Sequence, residues 1–418
     1  MSTDLRDRLR QLGVHKGAAK VTSRAKRTLG LEALINGEVI ETDYGPTFVH
    51  VERYASDHAH GRYALGDALS QSPSIAARLA DLDDGQLDLR RAVFIDTETT
   101  GLAGGTGTLV FLVGVGMFDQ DNSFTVRQYF LRSPGEEAAM LLHLNDTLDQ
   151  YDAVVSFNGR GFDLPLLQTR FTLARLNPRI LTAPHLDLLF PARRIWRGRL
   201  ESCRLSSLEY HILDIHRDQT DIPGELIPQM YFDYIRTGDA SEMPRVLYHN
   251  VYDVLSMVSL STHLIQLFDE DRISVRDVGD LFALGKWHAD QDRIDQAERY
   301  LRQAVEVAAD RESHHAAAVR LAALYKQLDR RAEAVPLWEA VVDRKNVLAV
   351  EACVELAKHY EWHEVDMKKA MKWTQRGLSI TTHLKADVAR NEWLAALTHR
   401  HERLEKKQSF RQTKTPLA

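Results

Sequence analysis

The chain has 418 residues, a hydrophobic fraction of 44% and a formal net charge of −6, which predicts two or three ordinary globular domains. Its longest apolar run, 109–118, has the length of a strand, so neither a membrane helix of ~20 residues nor a secretory signal is expected. Two cysteines are too few for a disulfide framework. We therefore expect a cytoplasmic protein without membrane contact.

Positive charge is concentrated in two segments despite the negative sum. Residues 1–30 contain eight Lys or Arg against two acids, and residues 191–204 contain five arginines against one acid. Such segments are typical of phosphate-binding surfaces, but also of solvated surfaces and flexible tails. The negative net charge therefore does not exclude nucleic acid as a partner.

The N-terminal part, 1–84, is expected to be a basic arm followed by a small β-containing extension. Strands are predicted at 38–42 and 47–53, with the turn residues Tyr44, Gly45 and Pro46 between them. A short helix is predicted at 73–83.

An α/β pattern occupies residues 85–268. Three predicted strands, at 92–97, 109–118 and 124–131, are joined by short connections, which favours antiparallel pairing. The elements that follow are a helix at 136–148, a strand at 153–157, and helices at 164–176, 205–213, 229–237 and 243–268. This order predicts a mixed sheet flanked by helices.

From about residue 272 to 400 the chain is Ala-rich and helical, and it resembles itself at a period near 36. Four positions align with four others at an offset of 37: Gly285, Ala297, Leu301 and Ala304 with Ala322, Ala334, Trp338 and Val341. Small residues recur where paired helices approach closely, as in tetratricopeptide repeats. We interpret the segment as an all-α helical-repeat domain that could bind a protein partner, with a plain bundle as the alternative. Residues 401–418 are expected to form a disordered tail.

The clearest motif is Asp-Thr-Glu-Thr-Thr-Gly-Leu at 96–102, at the end of a buried strand. The two-residue period of a strand places Asp96 and Glu98 on one face. Two carboxylates side by side are unfavourable unless a cation lies between them, and carboxylate oxygens suit Mg²⁺ or Mn²⁺. The motif therefore predicts two metal ligands.

Two further motifs are weaker when taken singly. Asp163 follows a strand and a Gly-rich turn at 158–161 and starts a helix, where it could equally be a helix N-cap. His249 and Asp253 lie four residues apart, hence on one face if the helix is continuous. An imidazole beside a metal-binding carboxylate can accept a proton from an attacking water.

Together the three motifs resemble the DnaQ-type, or DEDD, exonucleases of the ribonuclease-H-like superfamily. The resemblance implies an α/β ribonuclease-H-like domain and 3′–5′ hydrolysis of single-stranded DNA or RNA. It also implies two Mg²⁺ or Mn²⁺ ions on Asp96, Glu98, Asp163 and Asp253. Two residues of the motifs, Thr99 and Asn158, are additional candidates for contact with nucleic acid.

A closer resemblance is to the bacterial YprB-type family, which combines such a domain with tetratricopeptide-like repeats. It rests on the segments 101–108, 187–196 and 221–224 and supports the fold and site better than the substrate. One departure concerns the general base. One branch of the superfamily has Tyr four residues before the last Asp and another has His five before it, whereas here His249 is at minus four and Tyr248 at minus five. We predict His249 as the base, with Tyr248 as the alternative.

The second basic segment predicts a substrate contact through four arginines and a tryptophan: Arg193, Arg194, Trp196, Arg197 and Arg199. Arginine pairs with phosphate through two parallel hydrogen bonds, and an indole can stack on a base. The alternative is that Trp196 lies in the core and the arginines pair with acids. Two functional alternatives also remain open: a non-catalytic nucleic-acid-binding scaffold and a structure-specific endonuclease.

Overall fold

The computed structural model describes residues 29–82, 85–101, 107–218, 221–269 and 277–413, with side chains to residue 409. Seven strands form one mixed sheet in the order β1-β2-β7-β6-β5-β8-β9, and β3 and β4 form a separate pair. The strands are β1 (Gly37–Thr42), β2 (Gly45–Tyr54), β3 (Ala59–His60), β4 (Tyr63–Ala64), β5 (Ala92–Thr99), β6 (Val110–Phe118), β7 (Phe124–Phe130), β8 (Ala153–Ser156) and β9 (His185–Asp187).

The sheet confirms the predicted α/β class and the antiparallel meander of β5, β6 and β7. Strands β8 and β9 extend it in parallel from β5. The strands expected in the β-containing N-terminal extension are present as β1 and β2, and they join the same sheet because β2 pairs with β7 along Phe48–Tyr54. The expected domain boundary near residue 85 therefore does not divide the sheet. The predicted basic arm at 1–28 lies outside the described residues.

Fourteen α-helices in the described part of the chain accompany the strands. In the α/β part they are α1 (Pro73–Leu79), α2 (Glu137–Leu148), α3 (Asp163–Leu173), α4 (Leu189–Trp196), α5 (Leu205–Leu208), α6 (Ile227–Thr237) and α7 (Met243–Phe268). In the helical part they are α8 (Val278–Asp290), α9 (Ile294–Val307), α10 (Arg311–Gln327), α11 (Arg331–Val341), α12 (Val347–Trp362), α13 (Met367–Thr381) and α14 (Val388–Thr413).

Both faces of the sheet are covered, because β6 is buried at every position. One face packs against α1, α4 and α7, and the other against α2, α3 and α6. Helix α7 is continuous over 26 residues, which puts His249 and Asp253 on one helix. By length and composition α7 could cross a membrane. However, 78% of its most apolar 18-residue stretch is buried inside the protein, as in a core helix.

The helical part repeats a two-helix unit. The turns within the pairs α8–α9, α10–α11 and α12–α13 each contain a residue in the left-handed conformation, namely Asp292, Asp329 and Val365, with φ of 55°, 57° and 54°. These residues are 37 and 36 positions apart, which matches the period seen in the sequence. The helical-repeat class is therefore confirmed, while the tetratricopeptide assignment stays a prediction.

The C-terminal helix corrects the prediction of a disordered tail. Helix α14 continues to Thr413, and Leu404 is fully buried. Its basic residues meet one buried acid: the Glu361 carboxylate, 0% exposed, pairs with Arg400, Arg403 and Lys407 at 2.8, 2.7 and 2.7 Å. The polar composition thus reflects ion pairing to α12. Of the predicted tail, residues 414–418 lie outside the described residues.

Replacing Glu361 with alanine should lower the free energy of unfolding by about 3 kcal/mol, because three cations around a buried position lose their shared acceptor. Arg403 and Lys407 can turn towards solvent, which keeps the loss at the lower end of the range for buried pairs. Urea denaturation measures it. The control Glu405→Ala removes an exposed glutamate of α14 and should change stability little; equal effects of the two substitutions would contradict the assignment.

Candidate active site

Strand β5 presents Asp96 and Glu98 on one face and buries Thr97 and Thr99 on the other, the alternation that the sequence predicts. Burial raises the pKa of Asp96 well above its ordinary value, and the carboxylates of Asp253, Glu98 and Asp163 raise it further. Burial likewise raises the pKa of Glu98, with Asp253 and Asp163 adding to it. The structure therefore brings the four predicted carboxylates together.

Asp163 begins α3 and is 6% exposed. Burial raises its pKa from the ordinary 3.8 to about 6, although the Thr97 hydroxyl donates a hydrogen bond to its carboxylate. Burial thus raises the pKa of all three acids, and like charge adds to it: the other site carboxylates act on Asp96 and Glu98, and Asp187 acts on Asp163.

A hydrogen-bond chain from the sheet orients Asp96. Gln128 of β7 donates from Nε2 to Asn250 Oδ1 at 2.7 Å, and Asn250 Nδ2 donates to Asp96 Oδ2 at 2.8 Å. Asn250 is fully buried, and it fits because Gly114, the β6 partner of Asp96, has no side chain. A Cβ at Gly114 would lie 2.2 Å from Asn250 Oδ1.

Gly114→Ala should therefore destabilise the protein by about 1–3 kcal/mol through overpacking and should also reduce activity, since Asn250 must move away from Asp96. Thermal unfolding and any activity assay on the same sample measure both effects. Gly135→Ala is the matched control, because a Cβ there meets only Ser133 Oγ at 3.8 Å. A Gly114→Ala protein as stable as this control would rule out the close packing described above.

The turn before Asp163 is held by Asp187. Its carboxylate accepts backbone hydrogen bonds from Asn158 at 2.7 Å, Arg160 at 2.9 Å and Leu189 at 3.1 Å. Asn158 itself has a φ of 68°, which asparagine tolerates better than most residues. Asp187 thereby positions the turn that delivers Asp163.

The four carboxylates Asp96, Glu98, Asp163 and Asp253 are called the acidic centre below. His249 faces this centre through Nε2, which lies 3.8 Å from Asp253 Oδ2 and 4.0 Å from Glu98 Oε1. Its Nδ1 lies 2.8 Å from Asp221 Oδ1. Because a carboxylate only accepts, this contact places the proton on Nδ1 and leaves Nε2 as an acceptor. Tyr248 points elsewhere, with its ring 4.3 Å from that of Tyr252.

Arg217 is a positive charge within this cluster. It donates to the carboxylates of Asp253 and Glu209, the latter at 2.5 Å. Burial alone would lower the pKa of the guanidinium, but Asp253 and Glu209 raise it on balance. Arg217 Nη1 also lies 3.3 Å from His249 Nδ1. Because a protonated Nδ1 and a guanidinium are both donors, they cannot bond to each other, and we assign the Nδ1 hydrogen bond to Asp221. Arg217 therefore holds Asp253 in place.

The donor set fits hard divalent cations. Within the described residues, no three His, Cys, Asp or Glu side chains already form a compact chelating group. However, four carboxylates on β5, α3 and α7 share one space, and the raised pKa values of Asp96, Glu98 and Asp163 reflect burial and nearby like charge, which a cation would offset. Carboxylate oxygens are ligands that Mg²⁺ and Mn²⁺ favour.

The predicted nucleic-acid contacts are distributed differently. Trp196 is 0% exposed in the core, so the prediction that it stacks on a base is wrong. Arg194 pairs with Asp290 at 2.8 Å, and Arg199 with Asp277 and Asp280 at 3.1 and 3.2 Å. All four arginines are exposed, and in the described part of the chain Arg193 and Arg197 have no carboxylate within ion-pair distance.

The two motif residues proposed for substrate contact make local bonds. The Thr99 hydroxyl donates to the Gly101 carbonyl at 3.0 Å and is buried. Asn158 is exposed beside the turn, where it remains available to a ligand.

The sequence does not predict a role in the site for four of its residues: Gln128, Asn250, Glu209 and Arg217. Asp221 is predicted only as part of the segment 221–224 that resembles the YprB-type family. Asn250 follows His249 directly, and a polar residue on the buried side of a core helix is a signal that could have been noticed. Arg217 carries no such signal, because it lies in an irregular segment 36 residues before its partner Asp253.

The residues of this site lie in a part of the chain that matches a known family. A family model of the RNase_H superfamily matches residues 93–265, which include the four carboxylates and His249. This match confirms the ribonuclease-H-like class and supports, in general terms, a nuclease that binds nucleic acid and uses divalent metal.

A solved family B DNA polymerase from the archaeon Pyrobaculum calidifontis is 15% identical, with a TM-score of 0.35 over 62% of this chain. The chain spans 34% of that polymerase, and a likeness this low carries no argument. The YprB protein of Bacillus subtilis (strain 168) is 32% identical over 348 residues, 82% of each chain. The chain therefore belongs to the YprB family and contains a domain of the ribonuclease H superfamily.

Proposed function

We propose that the protein is a metal-dependent nuclease that removes nucleotides from the 3′ end of single-stranded DNA or RNA. The observation that carries the proposal is the convergence of Asp96, Glu98, Asp163 and Asp253 on one space that His249 Nε2 faces. The 3′–5′ direction and the single-stranded substrate rest on the resemblance of the three motifs to DEDD exonucleases.

The four carboxylates would hold two Mg²⁺ or Mn²⁺ ions. When bound, such ions polarise the phosphodiester and stabilise the charge that develops during its hydrolysis. The neighbouring side chains orient the ligands: Asn250 orients Asp96, the Thr97 hydroxyl orients Asp163 and Arg217 orients Asp253.

His249 would act as the general base. Its unprotonated Nε2 faces the acidic centre and can accept a proton from the attacking water. Asp221 keeps the imidazole in that tautomer and then stabilises the imidazolium that forms, which is the task of a carboxylate behind a catalytic histidine. The reaction breaks the bond between phosphorus and the 3′ oxygen of the preceding nucleotide.

A non-catalytic scaffold with this fold is less favoured by the electrostatics of the site. Buried carboxylates with raised pKa values lower stability when they are ionised without a cation. A protein that only bound nucleic acid would gain nothing from keeping Asp96, Glu98 and Asp163 in this state. Such a cost is common at catalytic sites, where activity requires a destabilised arrangement.

The test is to incubate the purified protein and Mn²⁺ or Mg²⁺ with single- and double-stranded DNA and RNA that carry either a 5′ or a 3′ label. We expect a ladder of shortened 5′-labelled products and release of the 3′ label as a mononucleotide. Discrete internal fragments would favour the endonuclease. No cleavage of any substrate would favour the scaffold.

A further inference from the structure

Helix α4 has an exposed face that combines one aromatic ring with positive charge. Its buried side consists of core residues, including Ala192, Ile195 and Trp196. The opposite side carries Phe190, 50% exposed, and the exposed arginines Arg193, Arg194 and Arg197. These positions follow the i, i+3, i+4, i+7 spacing and therefore share one helix face.

The first turn of this face lies next to the turn that positions Asp163. The Arg160 guanidinium is 5.5 Å from the centre of the Phe190 ring. Arg160 is fixed there, since its backbone N–H donates to Asp187 and its side chain donates to the His185 carbonyl at 2.9 Å. The face is thus linked through Arg160 to the turn that ends at Asp163, three residues further along the chain.

The other end opens into a groove of about 590 Å³ between α4 and α8. Lys286 of α8 is exposed on its wall. The acid on the wall, Asp290, is paired with Arg194 at 2.8 Å and with Arg320 at 3.6 Å. In the part of the chain that is described, Arg193 and Arg197 have no carboxylate within ion-pair distance, so the balance of the groove is positive.

We propose that Arg160, Phe190, Arg193, Arg197 and Lys286 form a track that binds the backbone of single-stranded nucleic acid and directs the strand to the acidic centre. This deepens the proposed function and rests on it. From Phe190 to Arg197 the helix rises about 10 Å, the length of ~3 nucleotides at 3.4 Å each. Phe190 offers a ring on which a base can stack.

The chemistry of the track favours nucleic acid over an acidic protein. The cations are spaced along a line with an aromatic ring at one end, which matches the alternation of phosphate and base in a single strand. Contact with the backbone carries no sequence information, so we expect the track to bind strands of any sequence.

The test is equilibrium binding of a fluorescent 15-nucleotide strand to the full chain in EDTA, where no metal-dependent cleavage occurs, across a series of salt concentrations. Arg193→Ala/Arg197→Ala should weaken binding ~10-fold and reduce the salt slope by about 1.4, or 0.7 for each phosphate that the protein no longer neutralises. The effect should be the same for DNA and RNA of different sequences. The control Arg236→Ala/Lys385→Ala removes two exposed cations from other surfaces and should bind like the wild type.

If the Arg193/Arg197 variant had the affinity and salt slope of the wild type, the proposed track would be contradicted. A loss of affinity of the same size in the Arg236/Lys385 control would contradict it as well. An acidic peptide that binds as tightly as the oligonucleotide and competes with it would overturn the choice of ligand. Failure of the proposed function gives a different result. If the protein binds the strand through the track but does not cleave it in Mn²⁺, the proposed nuclease activity is contradicted and the proposed track is supported.

Discussion

Replacing His249 with alanine is expected to slow phosphodiester cleavage by ~10²–10⁴-fold, while Tyr248→Phe keeps a rate near that of the wild type. On the continuous helix α7, His249 lies one turn before Asp253, whereas Tyr248 is turned about 140° away from it. The distances agree, since His249 Nε2 lies within 4.0 Å of both Asp253 and Glu98 and Tyr248 packs against Tyr252.

Single-turnover cleavage of a labelled oligonucleotide at saturating Mn²⁺ measures this difference. Tyr248→Phe is the matched control, because it removes one hydroxyl from the neighbouring residue and preserves the ring packing. A dead Tyr248→Phe enzyme together with an active His249→Ala enzyme would reverse the assignment of the base.

Asp163→Asn should abolish cleavage and at the same time stabilise the metal-free protein. The folded-state pKa of about 6 exceeds the ordinary 3.8, so above pH 6 the ionised carboxylate lowers the stability of the folded state. At pH 8 the substitution should raise the free energy of unfolding by up to about 3 kcal/mol, at 1.36 kcal/mol for each pKa unit. The gain should disappear as the pH falls towards 4, where the folded wild type is protonated.

Urea denaturation in EDTA at pH 8 and pH 4 measures the gain. The control is Asp187→Asn, because that buried carboxylate accepts three backbone N–H groups and its removal should destabilise by about 1–3 kcal/mol. If Asp163→Asn were also destabilising at pH 8, burial of the ionised Asp163 would not lower stability as inferred here.

The sequence predicts those elements whose pattern is long and regular. Helix α7 is predicted with its observed bounds and β5 within two residues, because apolar periodicity over many residues is a strong signal. Strand β9 escapes prediction, since three residues leave too short a pattern. Helix α4 escapes because its arginines suggest an exposed segment. The pairing of β2 with β7 joins segments about 75 residues apart, which local patterns do not encode.

The site is only partly accessible to sequence reasoning. Asp96 and Glu98 stand in one motif, whereas Arg217 and Gln128 reach the site through long-range packing. The prediction for Trp196 is wrong because the arginines around it suggest a surface. The apolar spacing of Ala192, Ile195 and Trp196 on one helix face indicates the core instead.

The central claim, that the four carboxylates form a catalytic metal site, is tested most directly by one measurement. It is the rate of shortening of a 5′-labelled single strand as Mn²⁺ is titrated, for the wild type and for Asp96→Asn. The account predicts a rate that rises and saturates with Mn²⁺, vanishes in EDTA and is absent from folded Asp96→Asn. Cleavage undiminished by EDTA or by Asp96→Asn would contradict it.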